Sequence, residues 1–592
     1  MALQQQEQII LTMNLNHIIH RRHVPTITSS MQDELHPVLA RIYASRNITS
    51  TKQLDYSFNV LHDWKDLKGI DAAINLLVNA LINQQHVIII GDFDADGATS
   101  TALAIRGLRA MGFERVSYRV PDRFKFGYGL TPEIVEDVAA LEPDLIVTVD
   151  NGISSLDGVA EAKQKGIKVL VTDHHLPGEK LPDADAIVNP NQPGDSFPCK
   201  ALAGVGVMFY VLMALRTKLR EINWFEKNNI TEPNLAQWLD IVALGTVADV
   251  VPLEHANRIL VSQGIARMRA GQLSAGIKAL LEVAGRNPQR LVASDLGFTV
   301  GPRINAAGRL DDMSLGIECL LTDSELEAKE YAHQLDSLNR ERRQIESGMQ
   351  DQALSFLNDF LLQHGHDDLP IGLCLFEPDW HEGVIGILAS RIKDRLHRPV
   401  IAFAQNENGD LKGSARSVKG VHIRDVLDAI AAKHPELISK FGGHAMAAGL
   451  SLQKDNLSEF TQAFACEVAK HLGRDELHGV IHSDGELSDL EIHMELASLL
   501  RNAGPWGQHF EEPVFDGEFE LVNRRIVGEK HLKLVLQVPG GQRYIDAIAF
   551  NVSDEDWPEQ VKRVELAYRL DINEYQGRQN LQLMVDYIQP CE

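Results

Sequence analysis

The chain has 592 residues, a formal net charge of −25, 44% hydrophobic residues and 23% charged residues. This length predicts three or four domains, and the composition is typical of a globular protein. No apolar run is as long as a membrane span, and the N-terminus lacks the charged segment, apolar segment and cleavage site that follow one another in a signal peptide. No membrane partner is therefore expected. The negative charge argues against a protein that coats DNA, although an acidic enzyme can bind DNA through one basic channel.

The cysteines are scattered and form no Cys-x-x-Cys pair. They are Cys199, Cys319, Cys374, Cys466 and Cys591. This spacing argues against a zinc ribbon or a disulfide framework, and it predicts a reducing, cytoplasmic location.

The N-terminal region is predicted to be a flexible tail followed by helices. Residues 1–20 are rich in Gln and Asn. Apolar residues then recur at helical spacing in 36–48 and 69–82, and these helices are expected to pack on a sheet.

The first strand of that sheet ends in an acidic turn. Val87–Ile90 is unbroken and apolar, which predicts a strand buried on both faces. Three carboxylates follow at alternate positions, namely Asp92, Asp94 and Asp96. In an extended chain they would share a face, and a divalent metal would offset their repulsion. Gly91 and Gly97 on either side would permit backbone angles that other residues avoid.

A calcium-binding loop is the alternative reading of this turn. An EF-hand would need a Glu about six residues beyond its Gly, but residues 98–109 contain no acid. A catalytic metal site is therefore favoured.

Strand and helix patterns alternate as far as residue 190, which predicts a parallel sheet with helices on both faces. The predicted strands are 87–91, 116–120, 144–150, 168–173 and 186–190, and the predicted helices are 98–111, 132–141 and 155–165.

Polar clusters follow three of these strands, at the sheet edge where ligands bind. They are Asp92 to Asp96, Asp150-Asn151-Gly152 and Asp173-His174-His175. Taken singly, Asp150 could be a helix cap and His174 a surface residue, but three such clusters together favour a ligand site.

A fourth candidate lies in the apolar helix predicted over 238–253. Asp249 interrupts its buried positions, and a buried carboxylate needs a partner. Asp240 is a competing ligand, although its position before the apolar run suits a helix cap better.

Four motifs resemble, in order and type, those of the DHH phosphoesterase superfamily: GDFDADG, TVDNGIS, TDHHLPG and GTVADVVPL. Further stretches resemble the RecJ family of single-strand-specific exonucleases within it, from about His36 to the C-terminus. They are PDRFKFGYGL, GPRINAAGRLDD, WHEGVIGILASR, GSARS, FGGHAMAAGL and GPWGQHFEEPVF. One departure is EEP at 511–513, where the family more often has a Pro-Glu-Pro-like turn.

Asp and His ligands without cysteine suit Mn²⁺ or Mg²⁺, and the histidines favour Mn²⁺. The resemblance implies two ions held by Asp92, Asp94, Asp96, Asp150, His174 and Asp249. In the family pattern Asp150 bridges the ions. Asp92 and Asp94 serve one ion, while Asp96, His174 and Asp249 serve the other. Asp150, His174 and His175 are the expected catalytic residues, with His175 on the scissile phosphate.

Phosphate-binding residues are expected in both halves of the chain. They are Arg123, Tyr128, Arg303, Asn305, Arg309, Gly413, Ser414, Arg416 and His444. The two loops GSARS and GGH combine small residues with polar donors, and the resemblance implies that they face the metal site. Structural ion pairing is an equal alternative for Arg303 or Arg309.

The fold class is therefore α/β and multidomain, with a parallel-sheet DHH domain, a connector helix, a second α/β domain and a C-terminal barrel. The expected ranges are an N-terminal tail (1–35), DHH domain (36–323), connector (324–365), DHH-associated domain (366–470) and OB domain (471–592). From spacing alone the connector could be a surface helix and the barrel SH3-like. The resemblance favours an OB-fold, which binds single strands.

The resemblance implies a metal-dependent exonuclease that degrades single-stranded DNA from the 5′ end to 5′-mononucleotides, in DNA repair and recombination. Family partners would be a single-strand-binding protein and a helicase. Three alternatives remain open: a DHH enzyme acting on small phosphoesters, a scaffold that has lost catalysis, and RNA as the substrate. The retained metal ligands oppose the scaffold, and the barrel favours long DNA.

Overall fold

The computed structural model describes residues 17–121, 129–364, 369–406, 408–473, 477–528, 531–538, 540–550, 561–575 and 578–591. The chain divides into two compact units. The first unit comprises Pro25–Arg340 and Asn502–Glu512; the second comprises Met1–Val24, Glu341–Arg501 and Pro513–Glu592. Within the described residues, no helix is long and apolar enough to cross a membrane.

The described chain begins with a strand, β1 (His17–Arg21), which lies in the second unit. The predicted flexible tail therefore ends too late in the sequence, because His17 to Arg21 pair in parallel with Gly479 to Ser483. This pairing partner is more than 450 residues away, so local composition gave no sign of it.

The first unit is built on a parallel sheet of five strands in the order β3-β2-β4-β5-β6. Its strands are β2 (Val87–Ile90), β3 (Val116–Arg119), β4 (Leu145–Val149), β5 (Lys168–Thr172) and β6 (Ala186–Val188). Every residue of β2 is buried, as its unbroken apolar run predicted. Every residue of β4 is buried too, including Thr148.

Most of the remaining regular structure of the first unit is helical. Through residue 221 they are α1 (Ser29–Glu34), α2 (Pro37–Ser45), α3 (Ile70–Ile82), α4 (Ala95–Ala110), α5 (Pro132–Ala139), α6 (Leu156–Gln164) and α7 (Gly204–Glu221). The later ones are α8 (Trp224–Lys227), α9 (Leu239–Ala248), α10 (His255–Arg269), α11 (Ala275–Val283), α12 (Gly301–Leu310) and α13 (Ser314–Leu321). A short helical stretch, 293–300, leads into α12 and includes one π-helical turn.

The connector is a helix of 40 residues, α14 (Glu325–His364). Its bounds agree within one residue with the connector predicted at 324–365. The division between the two units falls inside it, after Arg340.

The second unit contains another α/β sheet, ordered β10-β11-β9-β8-β7. Its elements are β7 (Leu373–Phe376), α15 (Ile385–Leu396), β8 (Val400–Gln405), β9 (Leu411–Arg416), α16 (Ile423–Lys433), β10 (Lys440–Gly443), β11 (Ala447–Leu452) and α17 (Leu457–Val468). Only β7 and β8 run parallel, and the other neighbouring strands are antiparallel. Its core includes Phe403, Phe460 and Phe464.

A closed barrel of five strands completes the second unit, in the order β13-β14-β15-β17-β16. Between the α/β sheet and the barrel lie β12 (Gly479–Ser483) and α18 (Met494–Asn502). The barrel strands are β13 (Phe515–Val527), β14 (His531–Gln537), β15 (Tyr544–Phe550), β16 (Arg563–Tyr575) and β17 (Arg578–Cys591). The predicted α/β multidomain class with a C-terminal barrel is confirmed.

Candidate metal centre

The loop after β2 carries its carboxylates into the start of α4. Asp94 caps this helix, because its Oδ1 accepts hydrogen bonds from the N–H groups of Asp96 at 2.9 Å and Gly97 at 3.0 Å. Asp96 lies in the first helical turn and is buried. The prediction that all three carboxylates lie on an extended chain is therefore wrong, because the helix begins at Ala95 rather than at residue 98.

The glycines beside these carboxylates provide space rather than unusual backbone angles. Neither Gly91 nor Gly97 has a positive φ angle, contrary to the prediction. A Cβ added to Gly97 would lie 2.5 Å from the carbonyl oxygen of Asp92, and one added to Gly91 would lie 2.2 Å from Oγ1 of Thr101. A larger residue at either position would push the acidic loop away from α4.

Asp150 follows β4 in the left-handed region, with φ of 62°. Its carboxylate is buried, and it does not cap α6, which begins only at Leu156. The first turn of α7 lies against it, since a Cβ added to Gly204 would be 2.6 Å from Oδ1 of Asp150. The N–H groups of Gly204 and Val205 also donate to the carboxylate of Asp96, at 2.7 and 3.0 Å. The start of α7 therefore fixes two carboxylates at once.

Asp173 organises the two histidines that follow β5. It is buried and accepts hydrogen bonds from the N–H groups of Ile153, His174 and His175 at 2.7–3.0 Å. Nδ1 of His175 lies 2.8 Å from Oδ1 of Asp173. Because Asp173 holds the turn and one imidazole ring, His174 is left to face the carboxylates.

The last carboxylate comes from the end of α9. Asp249 occupies the C-cap, and its N–H donates to the carbonyl of Gly245 at 3.0 Å. Its competitor Asp240 lies in the first turn of α9 and accepts a hydrogen bond from the N–H of Ser274 at 2.6 Å. Asp240 is not the helix cap that the sequence suggested, because Trp238 occupies that position.

The side chains from these elements converge on one place in the first unit. Nε2 of His174 lies 3.1 Å from Oδ1 of Asp150 and 3.4 Å from Oδ2 of Asp249. Three sets of possible ligand atoms each lie within 4.8 Å of one another: Asp92, Asp94 and Asp150; Asp96, His174 and Asp249; Asp150, His174 and His175. Asp150 and His174 each belong to two sets, so the sets form one continuous cluster.

The electrostatics of this cluster fit a divalent cation. Burial, reinforced by neighbouring carboxylates, raises the pKa of Asp150 and Asp249 well above the ordinary range and that of Asp96 to about 7. Burial lowers the pKa of His174 to about 4, which leaves its ring neutral and able to ligate a metal. Nε2 of His174 and Oδ2 of Asp249 are buried and make no hydrogen bond with the described residues. Such groups are costly unless a cation satisfies them, and this donor set suits Mn²⁺ or Mg²⁺.

His175 has the opposite electrostatic character from His174. Burial by itself would lower its pKa, but the hydrogen bond and charge of Asp173 outweigh burial and raise the pKa to about 9. The ring is therefore an imidazolium at neutral pH, which suits contact with a phosphate better than with a metal.

The expected phosphate-binding residues of the first unit have different surroundings. Arg303 is buried and paired with Asp336, whose Oδ1 lies 3.0 Å from its Nε, and it also donates to the carbonyl of Thr299 at 2.6 Å. This pairing supports the structural alternative for Arg303. Oδ1 of Asn305 accepts a hydrogen bond from the N–H of Ala95 at 2.8 Å, and Arg309 lies half-buried in the last turn of α12. Arg123 and Tyr128 lie outside the described residues.

The phosphate-binding residues expected in the second unit lie mainly on strands. Gly413, Ser414 and Arg416 belong to β9, so the prediction that GSARS forms a loop is wrong. Arg416 donates to Oγ of Ser414 at 3.1 Å. A Cβ added to Gly386, in the first turn of α15, would lie 2.9 Å from Nη2 of Arg416 and 3.0 Å from Oγ of Ser414. An arginine and a hydroxyl therefore sit beside a helix N-terminus, a combination that suits an anion. His444 lies in the turn between β10 and β11.

Sequence reasoning assigned no role to two parts of this cluster. The sequence pattern marks Asp173 only as a neighbour of the histidines, although an acid that immediately precedes two histidines is a natural partner for one of them. The N–H groups of Gly204 and Val205 were missed altogether. Their signal was the small residues in Ala203-Gly204-Val205-Gly206 before an apolar helix, which allow close approach to an anion.

Comparison with known protein families covers most of the chain. Residues 86–246 match the family model described as "DHH family, N-terminal domain". Residues 370–470 match the DHHA1 domain, and residues 483–587 match the RecJ OB domain.

Individual relatives match over nearly the whole chain. The single-stranded-DNA-specific exonuclease RecJ of Salmonella typhimurium is 54% identical over 571 residues, which cover 96% of this chain and 99% of the relative. The crystal structure of RecJ from Thermus thermophilus in complex with Mn²⁺ has a TM-score of 0.77 and 28% identity, over 98% of this chain and 80% of that one. The complex of RecJ with Mg²⁺ from the same organism has a TM-score of 0.71 and 26% identity, over 98% and 79% of the two chains. Because 54% identity to the Salmonella relative extends over nearly the full length of both proteins, the chain belongs to the RecJ family of the DHH superfamily.

Proposed function

We propose that the chain is an exonuclease that hydrolyses single-stranded DNA from its 5′ end and releases 5′-mononucleotides. The observation that carries this proposal is the buried cluster of carboxylates and histidines after β2, β4, β5 and α9. Relatives named single-stranded-DNA-specific exonucleases support the substrate.

Two divalent cations, Mn²⁺ or Mg²⁺, are the proposed cofactors. Asp92 and Asp94 would hold one ion; Asp96, His174 and Asp249 would hold the other; and Asp150 would lie between them. When bound, such ions supply a nucleophile from water at neutral pH and offset negative charge on the phosphoryl group. RecJ structures in complex with Mn²⁺ and Mg²⁺ support either metal.

The protein's own side chains would orient the scissile phosphate. His175, held protonated by Asp173, would donate to a phosphate oxygen and stabilise charge as the transition state forms. His174 keeps its ring neutral because it is buried, so it acts as a ligand and not as a proton donor. These assignments divide the two adjacent histidines between metal and substrate.

The remaining phosphate contacts are proposed for Arg123, Tyr128, Asn305, Arg309, Gly413, Ser414, Arg416 and His444. Arg303 is already bound to Asp336, which supports a structural role for Arg303. Arg416 is the proposed reader of the 5′ phosphate, since a guanidinium can bind that group through two hydrogen bonds.

The cellular setting is proposed from the substrate. A nuclease that needs single strands requires a partner that unwinds duplex, so we propose a helicase and a single-strand-binding protein as its partners in DNA repair and recombination. The scattered, unpaired spacing of the cysteines supports action in the cytoplasm.

A direct assay separates this function from its alternatives. The purified chain is incubated with Mn²⁺ or Mg²⁺ and with end-labelled single-stranded DNA, duplex DNA, single-stranded RNA and small phosphoesters. The expected result is release of mononucleotides from single-stranded DNA only, starting at the 5′ end. Preferential hydrolysis of small phosphoesters or of RNA would show that these are the substrates instead of single-stranded DNA. Absence of metal-dependent hydrolysis would refute the proposal.

A further inference from the structure

A short segment from late in the chain belongs to the first unit. Asn502–Glu512, which we call the return segment, clusters with Pro25–Arg340, although the chain on both sides of it belongs to the second unit. It contacts α2 and the residue that caps its C-terminus. The hydroxyl of Tyr43 donates to the carbonyl of Ala503 at 2.7 Å, and Nε of the C-cap Arg46 donates to the carbonyl of Glu511 at 2.9 Å.

Three aromatic rings fix the return segment in place. Trp506 stacks on Phe510 with ring centroids 5.1 Å apart, and Tyr43 stacks on both rings at 5.9 and 6.1 Å. Phe510 is 2% exposed, so its ring is part of the interior of the first unit. Aromatic stacking and burial of this kind make a rigid support.

The return segment also holds the loop that follows the proposed metal ligand Asp249. The N–H of Leu253 donates to the carbonyl of Gln508 at 2.8 Å. The carbonyl of Leu253 accepts a hydrogen bond from Nη1 of Arg258 at 2.7 Å. The guanidinium carbon of Arg258 lies 4.4 Å from the centre of the Phe510 ring. Both backbone polar groups of Leu253 are therefore tied, directly or through Arg258, to the return segment.

The loop between Asp249 and Leu253 needs such support. Val250 has a φ of 62°, which is unfavourable for a β-branched residue, and the residue is 63% exposed. Its own burial therefore contributes little to holding this conformation. A strained backbone persists only where the surrounding structure determines it. Asn257 holds the carbonyl of Pro252 at 2.9 Å, and Leu253 is the point at which the return segment holds the loop.

We propose that the return segment positions Asp249 for the metal and that Phe510, acting through Arg258, is a positioning residue of the metal centre. This inference rests on the proposed function, since it assumes that Asp249 ligates a cation. It predicts that the affinity for Mn²⁺ depends on residues more than 250 positions away in sequence.

The test measures metal binding without DNA. Full-length wild type and Phe510→Ala are titrated with Mn²⁺, and free Mn²⁺ is followed by electron paramagnetic resonance well below the melting temperature. We expect Phe510→Ala to bind one Mn²⁺ about tenfold more weakly or worse, as changes behind a ligand usually do. Arg258→Met, which removes the hydrogen bond to Leu253 with little loss of volume, should behave in the same way.

The matched control is Phe225→Ala. Phe225 is also a buried phenylalanine of the first unit, and it lies beyond the far end of α7, an 18-residue helix of about 27 Å that starts at the metal centre. This variant should melt at a lower temperature than wild type and yet bind Mn²⁺ with wild-type affinity.

The outcomes distinguish a return segment that positions Asp249 from one that only stabilises the fold. If Phe510→Ala and Arg258→Met melt lower but bind Mn²⁺ as wild type does, the return segment is a structural support only and the inference is overturned. If Phe510→Ala does not fold, as judged by circular dichroism, Arg258→Met alone decides. If wild type itself binds no Mn²⁺, the proposed function fails, and the inference fails with it.

Discussion

At the scale of single residues, Asp150 lies where its carboxylate suits a metal ligand but lowers the stability of the metal-free protein. Its carboxylate is buried among other acids, and its backbone is in the left-handed region. The burial of this carboxylate is costly in the absence of a cation, and the backbone conformation carries a cost of its own. Asp and Asn tolerate this backbone conformation better than Ala does, so Asn is the informative replacement.

We expect Asp150→Asn to lower the rate of hydrolysis by more than about a hundredfold, beyond the usual effect of changes behind a ligand. The metal-free variant should melt at a higher temperature than metal-free wild type, because one repelling carboxylate is removed. Nuclease assays at saturating Mn²⁺ and thermal melts with a chelator measure the two effects. Asp157→Asn, an exposed aspartate in the first turn of α6, is the control. Near-wild-type activity of Asp150→Asn would exclude Asp150 as a metal ligand.

The Asp173–His175 pair predicts a pH dependence for the metal-free protein. The pKa of His175 is raised from 6.5 to about 9, because Asp173 more than offsets burial. A raised histidine pKa gives stability that is fully present below pH 6.5 and is lost as the pH rises through about 9. Asp96, whose pKa is raised from 3.8 to about 7, contributes with the same sign at lower pH. Asp150 and Asp249, whose pKa values burial raises well above the ordinary range, contribute with the same sign as well. The pKa of Asp173 is lowered, so this carboxylate is already ionised across the window and adds nothing to the dependence of stability on pH.

We therefore expect the melting temperature of metal-free wild type to fall between about pH 6.5 and 9. In Asp173→Asn this fall should be smaller, since His175 loses the partner that raises its pKa. Scanning calorimetry in chelator at several pH values makes the measurement. Asp183→Asn, whose carboxylate is exposed and pairs with Lys163, should keep the wild-type slope. An unchanged slope in Asp173→Asn would mean that another group titrates.

Most of the candidate ligands could be predicted from the sequence, because each one directly follows an apolar strand or helix. His174 is an example: its strand is local, and strand ends meet at one edge. The partner of Arg303 could not be predicted, because Asp336 lies on a different helix and nothing local links the two residues. The same limit applies to Asp240, which binds the N–H of Ser274, at the start of another helix.

At the scale of elements, the N-terminal turn of α7 connects two ligands. Its first two N–H groups bind Asp96, and Gly204 leaves no space for a side chain beside Asp150. The sequence predicted neither contact, because an apolar helix gives no indication of what its first turn faces. The sequence pattern likewise predicts the start of α4 three residues too late. It indicates a ligand role for Asp94, whereas the carboxylate of Asp94 also caps the helix.

Gly204→Ala tests this arrangement with a single methyl group. The added Cβ would meet Oδ1 of Asp150 at 2.6 Å, so Asp150 or α7 must shift. We expect Mn²⁺ affinity and the hydrolysis rate to fall about tenfold or more. Calorimetric titration with Mn²⁺ and a nuclease assay measure these changes.

The control for Gly204→Ala is Gly348→Ala in α14. Gly348 has no atom within 4 Å of an added Cβ, so this change should stabilise the helix by about 0.5–1 kcal/mol and leave metal binding unchanged. If Gly204→Ala binds Mn²⁺ as wild type does, the contact between α7 and Asp150 does not constrain the site.

At the scale of the whole molecule, an acidic chain is proposed to bind a polyanion. With a net charge of −25, binding must rely on local basic surfaces and on bound cations. The barrel strands begin only at Phe515, so the barrel and the return segment are separate parts of the C-terminal region. The sequence predicted the barrel from alternating residues, but it did not separate the return segment, because a short Gly-Pro-Trp-Gly stretch has no periodic pattern.

Two truncations distinguish these parts. A chain ending at Glu512 keeps the return segment and lacks the barrel; we expect it to cleave short oligonucleotides but to lose about tenfold or more in affinity for long single strands. A chain ending at His478 lacks both parts, and we expect weak Mn²⁺ binding as well. Binding by wild type should weaken steeply with salt.

Circular dichroism and melting curves must accompany both truncations, because Arg21 pairs with Asp516 of the barrel. Processive degradation of long strands by a well-folded chain ending at Glu512 would show that the barrel is not part of the DNA path. Wild-type Mn²⁺ affinity in a well-folded chain ending at His478 would argue against any role for the return segment.

The return segment also affects the order of events during synthesis on the ribosome. The first unit is contiguous to Arg340, yet it is completed only by residues 502–512, about 160 residues later. At about 5–20 residues per second, this delay amounts to roughly 10–30 s. If Asp249 depends on that segment, a nascent chain cannot complete its metal centre until residues 502–512 have been synthesised. Chains that stall or terminate before this segment would then be released with a metal centre that binds its cations weakly.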